Sequence, residues 1–381
     1  MKSRISFFVH DLANNPVGRT IALANALKPL YDIEILGFLI SGDQVYHPYR
    51  NLFNYKTIRC GTGLRNVFAA MKPLCSMASG DVIYACKPLI TSFLPSIAAA
   101  GFPKRRPLFL DVDDDHWGNP VASEMLRDPF GGLREIDGWL YTRALHPFTY
   151  FVDGATVVST ELQKRYGGIL IRHGPDENEF DPSRPEFADP ILCRRELRLP
   201  ENRRLLLFAG TPRAHKGLST LIEALHRPEC KNWDLVLVAP PTHPDVVEAL
   251  QRLRNRCHSL GFIPYSEMPR LLAAVDAVPV LQRDVTFARS QVPAKLLDAM
   301  SMAKPIVASR VGDLDEILGA GKRGWVVKPD SEVELAVALA EIEVGPKQAA
   351  GRGSKAREWF LAEASASTIR QRIAPLIAGK M

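Results

Sequence analysis

Short apolar runs alternate with segments of helical spacing along the whole chain, and that alternation limits the fold more than any other feature. Arg4 to Val9, Ile33 to Leu39, Asp81 to Ala85, Pro107 to Leu110 and Gly154 to Val158 read as buried strands. Asn15 to Tyr31 reads as a helix, with Val17, Ile21, Ala24 and Leu27 near helical spacing. A second series follows: strands at Arg204 to Ala209, Asp234 to Val238, Ala277 to Leu281 and Pro305 to Ala308, with helices at Leu218 to Leu225 and Ser266 to Val275. Strands separated by helices predict parallel sheets joined by crossovers, hence an α/β fold of two doubly wound halves. A length of 381 residues suits two domains. The polar, proline-rich stretch Asp181-Pro-Ser-Arg-Pro-Glu186 marks the linker. The expected domains are therefore residues 1–180 and 181–353. Residues 354–381 form a closing helical segment that packs back on the first domain. Two such halves face a central cleft at the carboxyl ends of their strands, where ligands bind.

Composition removes several classes of function. A hydrophobic share of 46% and a charged share of 24% describe an ordinary globular protein, not a disordered one. No apolar run reaches the roughly 18 residues of a spanning helix. The first residues, MKSRISFFVH, are apolar only briefly before His10 and Asp11, so they read as a first strand and not as a signal peptide. Cys60, Cys75, Cys86, Cys193, Cys230 and Cys257 form no close pair, which fits a reducing cytoplasm and argues against zinc. The net charge of +6 is scattered, with short clusters at Lys104 to Arg106 and Arg252 to Arg256, and no nucleic-acid module is present. No nucleic-acid partner is expected.

Two segments of the second half carry chemistry. In Leu205-Leu-Leu-Phe-Ala-Gly-Thr-Pro-Arg-Ala-His-Lys-Gly217 a strand ends at Gly210 and a helix begins at Leu218. Arg213 and Lys216 would then lie beside backbone amides at a helix start, a seat for a diphosphate. An ordinary strand–loop–helix connection with solvated cations is the competing reading. In Ser290-Gln-Val-Pro-Ala-Lys-Leu-Leu-Asp-Ala-Met300, Pro293 suits the first helical position, and the amides near that start, from Ala294 on, open a second phosphate site. Asp298 could accept bonds from a ribose diol; a solvated helix charge is the alternative.

Taken together, these segments resemble the retaining glycosyltransferases of family 4, also called glycosyltransferase group 1. The resemblance is strong from about Leu205 to Val327 and weaker through the first half. It implies the GT-B fold of two Rossmann-like domains, with the donor diphosphate held at Gly210 through Lys216-Gly217. It also implies two acids, seven residues apart, on the donor sugar and ribose. Asp298 matches the second acid, while Ser290 stands where the first is usual. Lys295 resembles a subgroup in which this stretch reads Lys-Leu-acid. Thr211 replaces a common diphosphate arginine, whose role Arg213 takes. His173, Gly174, Asp176 and Phe180 match the family's interdomain segment, most simply as a turn and linker.

The first half contributes Leu110-Asp-Val-Asp-Asp-Asp-His-Trp117, an acidic run at a strand's carboxyl end. Three readings stand: a divalent-metal site, a solvated loop, or Asp113 and His116 acting on the donor sugar or the acceptor hydroxyl. Contiguous acids cannot all point inward, and the resemblance implies metal-independent transfer, so no metal or other cofactor is expected. Gly18, in the turn after the first strand, would admit a donor phosphate close to the backbone.

The expected function is transfer of a sugar (a hexosyltransferase reaction) from a nucleoside-diphosphate sugar, UDP-sugar first among candidates, to a saccharide or lipid-linked saccharide acceptor. Such an enzyme would serve cell-surface polysaccharide or glycoconjugate synthesis. The alternatives are a non-catalytic nucleotide-sugar-binding subunit and a GT-B-type nucleotide-sugar epimerase. The segments Leu64 to Leu74 and Gly101 to Arg106 mix basic and apolar side chains. They would allow weak contact with an anionic membrane at the inner face by an otherwise cytoplasmic protein.

Overall fold

The computed structural model describes residues 2–101, 105–115, 139–238 and 244–381. The chain forms two units: Met1–His173 with Ala366–Met381, and Gly174–Ser365.

The first unit is built on seven strands: β1 (Arg4–Val9), β2 (Asp32–Leu39), β3 (Tyr55–Arg59), β4 (Val82–Cys86), β5 (Leu108–Val112), β6 (Gly154–Val157) and β7 (Ile169–Leu170). All neighbours are parallel, in the order β3-β2-β1-β4-β5-β6-β7. The order reverses between β1 and β4, the switch point where such sheets open a ligand crevice. β4 and β5 are buried along their whole length, which is why β4 reads as an unbroken apolar run and β5 as one up to Asp111. Phe7, Tyr84 and Phe109 stack across the middle of the sheet, with ring centroids 5.0 and 5.8 Å apart.

In the second unit β8 (Arg204–Ala209) lies between β9 (Trp233–Val238) and the start of β11 (Val278–Val280), to which a parallel bridge from Leu206 to Ala277 joins it. β10 (Cys257–Gly261) flanks β9, and β12 (Ile306–Ser309) and β13 (Trp325–Val327) follow β11. The resulting order is β10-β9-β8-β11-β12-β13, again all parallel, with its switch point between β8 and β11. Trp233 and Phe208 are fully buried in its core.

The architecture is therefore α/β with two doubly wound parallel units. Several boundaries differ from the sequence reading, each for a local reason. The first helix runs Val17–Leu27 because Pro16 occupies its N-cap position. The stretch around Asp181 belongs to the second unit: Arg357 donates to the Phe180 carbonyl and to Asp181, and Phe180 packs on Tyr265. The chain divides at His173–Gly174, earlier than its proline-rich composition indicates. The closing segment is two helices, Pro346–Glu363 and Ala366–Ala378. Gly353 in the first lies so close to the Ala303 carbonyl that no side chain fits, which holds that helix in the second unit. Only the second helix packs on Val17–Leu27 in the first unit. Among the described residues, no helix is long and apolar enough to cross a membrane.

Candidate functional site

The carboxyl end of β8 is shaped by two glycines. Gly210 has φ +100° and Gly217 φ +60°, values that L side chains rarely adopt. A Cβ on Gly217 would also lie 2.6 Å from that of Leu281. Between them Ala214–Lys216 makes one 3-10 turn, and the helix Leu218–His226 starts directly after Gly217 without a side-chain cap. Its first amides are thus available to an acceptor from outside the helix. The turn folds Lys216 back over Gly210: its Nζ would be 3.7 Å from a Cβ placed there. Arg213 is exposed at the head of the turn.

The helix Ala294–Ser301 completes this end of the unit. Pro293 is its N-cap, one position earlier than expected, and Ala294 its first residue. The Lys295 ammonium lies 4.2 Å from the centre of the Phe208 ring, shielded from solvent and without a hydrogen-bond partner. Burial and then the neighbouring Lys216 charge push it down to about 7. Asp298, one turn further, is buried and accepts a hydrogen bond of 2.7 Å from the Tyr265 hydroxyl. Burial raises its carboxyl to about 7, against the opposing effect of that bond. Ser290 is turned away: its hydroxyl is buried and donates to the Phe287 carbonyl at 2.8 Å.

The Asp298 shift has a measurable sign. The unfolded carboxyl titrates at 3.8 and the folded one at about 7, so folding takes up a proton between these values. Asp298 costs no stability below the lower value, progressively more up to the higher one, and a constant amount above it. Asparagine has the shape of the protonated acid and carries no such cost. Asp298→Asn should raise the thermal midpoint increasingly between about pH 4 and pH 7, with no further gain above. A gain independent of pH would rule this account out.

In the first unit the acidic run is neutralised residue by residue. Asp111, fully buried on β5, receives two bonds from the Arg19 guanidinium, 2.9 and 2.7 Å, and one from Thr156 at 2.5 Å. Lys87, just past β4, donates to Asp113 at 2.6 Å and to Asp114 at 2.5 Å. Asp115 pairs with Arg165. The cations come from distant parts of the chain, so the run is neither a solvated loop nor a set of free carboxylates. Among the described residues no group of His, Cys, Asp and Glu is placed to hold a metal ion. Burial lifts the Asp113 carboxyl to about 6, in spite of Lys87. Lys87 has φ +77°, a conformation costing a side-chain-bearing residue on the order of 1–3 kcal/mol, and such strain gathers at ligand sites. His173 is held well below its ordinary range by burial and by Arg19, so its imidazole is neutral. His116 lies outside the described residues.

A Cβ on Gly18 would stand 2.9 Å from the Tyr49 hydroxyl, so a side chain there would have to displace that ring. Sequence reasoning did not find Lys87, Arg19 or Tyr265. Nothing adjacent in sequence marks them, because their partners lie 26, 92 and 33 residues away.

Comparison with known proteins places the chain. Residues 203–343 match the family model "Glycosyl transferases group 1". The alpha-maltose-1-phosphate synthase of Mycolicibacterium smegmatis is 24% identical over 62% of this chain and 65% of its own length. The alpha-D-kanosaminyltransferase of Streptomyces kanamyceticus is 26% identical over 42% of each chain. The chain thus spans just under two thirds of the first relative's length and less of the second's. Two solved structures share the fold along 99% of both chains at 19% identity. They are Anabaena Alr3699/HepE in complex with UDP-glucose, TM-score 0.73, and the sucrose-phosphate synthase of Thermosynechococcus elongatus, TM-score 0.72. The fold is of the GT-B class, with two Rossmann-like domains. The segment similar to the glycosyl transferases group 1 holds both the Gly210–Gly217 turn and the Lys295 helix.

Proposed function

We propose that this protein is a nucleotide-sugar-dependent glycosyltransferase that moves a hexose, with retention, to a saccharide or lipid-linked saccharide acceptor. The observation that carries the reading is the pair of lysines, Lys216 and Lys295, at the mouth of β8 beside an uncapped helix start. Among the described residues no carboxylate answers Lys295 there, so the arrangement suits a diphosphate leaving group. UDP-glucose in a protein of the same fold makes UDP-sugars the first donors to test. In this reading Arg213, Lys216 and the helix amides that follow Pro293, from Ala294 on, stabilise the departing phosphate, so that no metal is required. Asp298, one turn beyond Lys295 on the same helix, holds the ribose. Asp113 and His116, the latter three positions on in the sequence, receive the acceptor hydroxyl in this reading.

A second reading, a non-catalytic nucleotide-sugar-binding subunit, has one observation in its favour. Ser290 stands where the first family acid would be, and its side chain is committed to the backbone. The test is a thermal-shift panel of UDP-, GDP- and ADP-sugars, followed by donor turnover with and without saccharide acceptors in excess EDTA. A stabilising donor that is turned over in EDTA is expected. Donor binding without turnover would favour the binding subunit. Turnover lost to EDTA and restored by magnesium or manganese would overturn metal independence.

Membrane contact belongs to the same proposal, for a cytoplasmic protein peripheral at the inner face. On the helix Leu64–Ser76, Phe68 is 51% exposed between exposed Arg65 and Lys72. Arg106 is spent on the carbonyls of Ala78 and Gly80, and Arg105 pairs with Asp153, which leaves this helix as the stronger candidate. Cosedimentation with phosphatidylserine vesicles should be seen at low salt and lost at high salt. Absence of binding at low salt would rule the contact out.

A further inference from the structure

Buried ammonium groups in proteins are normally answered by a carboxylate. Lys295 is an exception that charge bookkeeping alone makes conspicuous. Its ammonium faces the Phe208 ring, and the charged group acting on it among the described residues is a second cation, Lys216, from the loop after β8. On its own helix Asp298 is engaged by Tyr265. β11 and β12, which pack against this helix, carry no titratable side chain. The preceding turn offers only Arg289, held by Asp284 at 2.6 Å. On the helix Pro346–Glu363, Arg357 is bound to Asp181 and to the carbonyls of Phe180 and Ser301.

A cation in this setting has two ways out of an unfavourable state: it loses its proton, or an anion arrives. We propose that Lys295 is a diphosphate ligand alongside Lys216, not a sugar or ribose contact, and that the anion enters this site together with a proton taken up by the Lys295 amine. The inference rests on the donor reading above and adds a linkage to pH. The proton comes from solvent, goes to Nζ, and leaves again when the nucleotide departs. Donor binding would accordingly weaken under alkaline conditions.

Isothermal titration calorimetry with UDP-glucose, GDP-mannose and ADP-glucose, in buffers of different ionisation enthalpy, reads this directly. The diphosphate of a nucleotide sugar is a diester with no titrating proton of its own between about pH 6 and 8.5. Since free Lys295 titrates at about 7, the association constant of a bound donor should fall roughly 30-fold across that interval. Proton uptake should rise from roughly 0.1 to nearly one over the same range. Lys295→Met should bind weakly and without the alkaline weakening; any slope left by Asp298, which also titrates at about 7, has the opposite sign, since a ribose hydroxyl favours its carboxylate. Lys295→Arg, permanently charged, should bind well and also without alkaline weakening, which separates ligation from a packing role. Donor binding whose alkaline weakening is absent in the wild type, or survives in Lys295→Met, would overturn the inference. Binding of none of the three nucleotides would bring down the donor reading and the inference with it.

Discussion

Replacing Lys216 by alanine should weaken nucleotide-sugar binding by about 1.5–3 kcal/mol, roughly 10- to 150-fold, with little change in folding stability. The magnitude is that of one charge-assisted hydrogen bond to a phosphate oxygen. Stability should hardly respond because the structural work of this loop is done by backbone: the Lys216 amide donates to the Arg213 carbonyl, and Gly217 packs on Leu281. A second effect runs the other way. Loss of the Lys216 charge relieves Lys295, which then holds its proton more readily and recovers part of the lost attraction. The loss should thus be smaller at about pH 8.5, where Lys295 is mostly neutral in the wild type, than at about pH 6, where it is charged in both proteins. Calorimetry of wild type and Lys216→Ala with the donor identified by the panel gives both numbers. Equal affinities would remove Lys216 from the donor site.

The largest stability effect should come from Arg19→Met. The side chains of Arg19 and Asp111 are 3% and 0% exposed, and the guanidinium also binds the Ile171 carbonyl at 2.9 Å, which ties the helix Val17–Leu27 to β5 and to the end of β7. Methionine fills most of the volume but leaves Asp111 as an unpaired buried charge, with only Thr156 to donate to it. Removing one member of such a pair typically costs about 3–5 kcal/mol. The double variant Arg19→Met with Asp111→Leu removes both charges and should recover a large part of that loss, since a buried pair and an apolar pair of like volume are often close in stability. Chemical unfolding followed by circular dichroism would resolve this as a transition of the first unit; a chain of two units need not unfold in one step. A single variant as stable as the double would show that Asp111 does not depend on Arg19.

How much was legible beforehand can be judged from particular segments. β4 and β5 are short apolar runs because helices cover both sheet faces, and burial on both sides leaves the same mark in any sequence. β8 and its glycine turn were equally plain, since φ above zero at Gly210 and Gly217 asks for glycine wherever it occurs. β3, β10 and β13 left weaker marks. They are short or only partly buried, and partial burial tolerates almost any residue.

The acidic run Asp111 to Asp115 shows the opposite limit. Four carboxylates in five residues were visible at once, yet their chemistry was not, because pairing is decided by where the chain brings its cations. Arg19 arrives from the first helix, Lys87 from the end of β4 and Arg165 from the helix before β7. That the Tyr49 ring lies against Gly18 was equally out of sight in the sequence. Asp298 was nameable from its place on the helix and Lys295 from the family resemblance, but their opposite displacement to about 7 follows from burial, which no local pattern encodes. Sequence by itself determined the period of the elements, the parallel sheets and the turn that needs glycine, since these depend on neighbours along the chain. Tertiary structure alone decided which charges are paired, which are stranded and which glycines serve packing, since desolvation and Coulomb energy depend on neighbours in space.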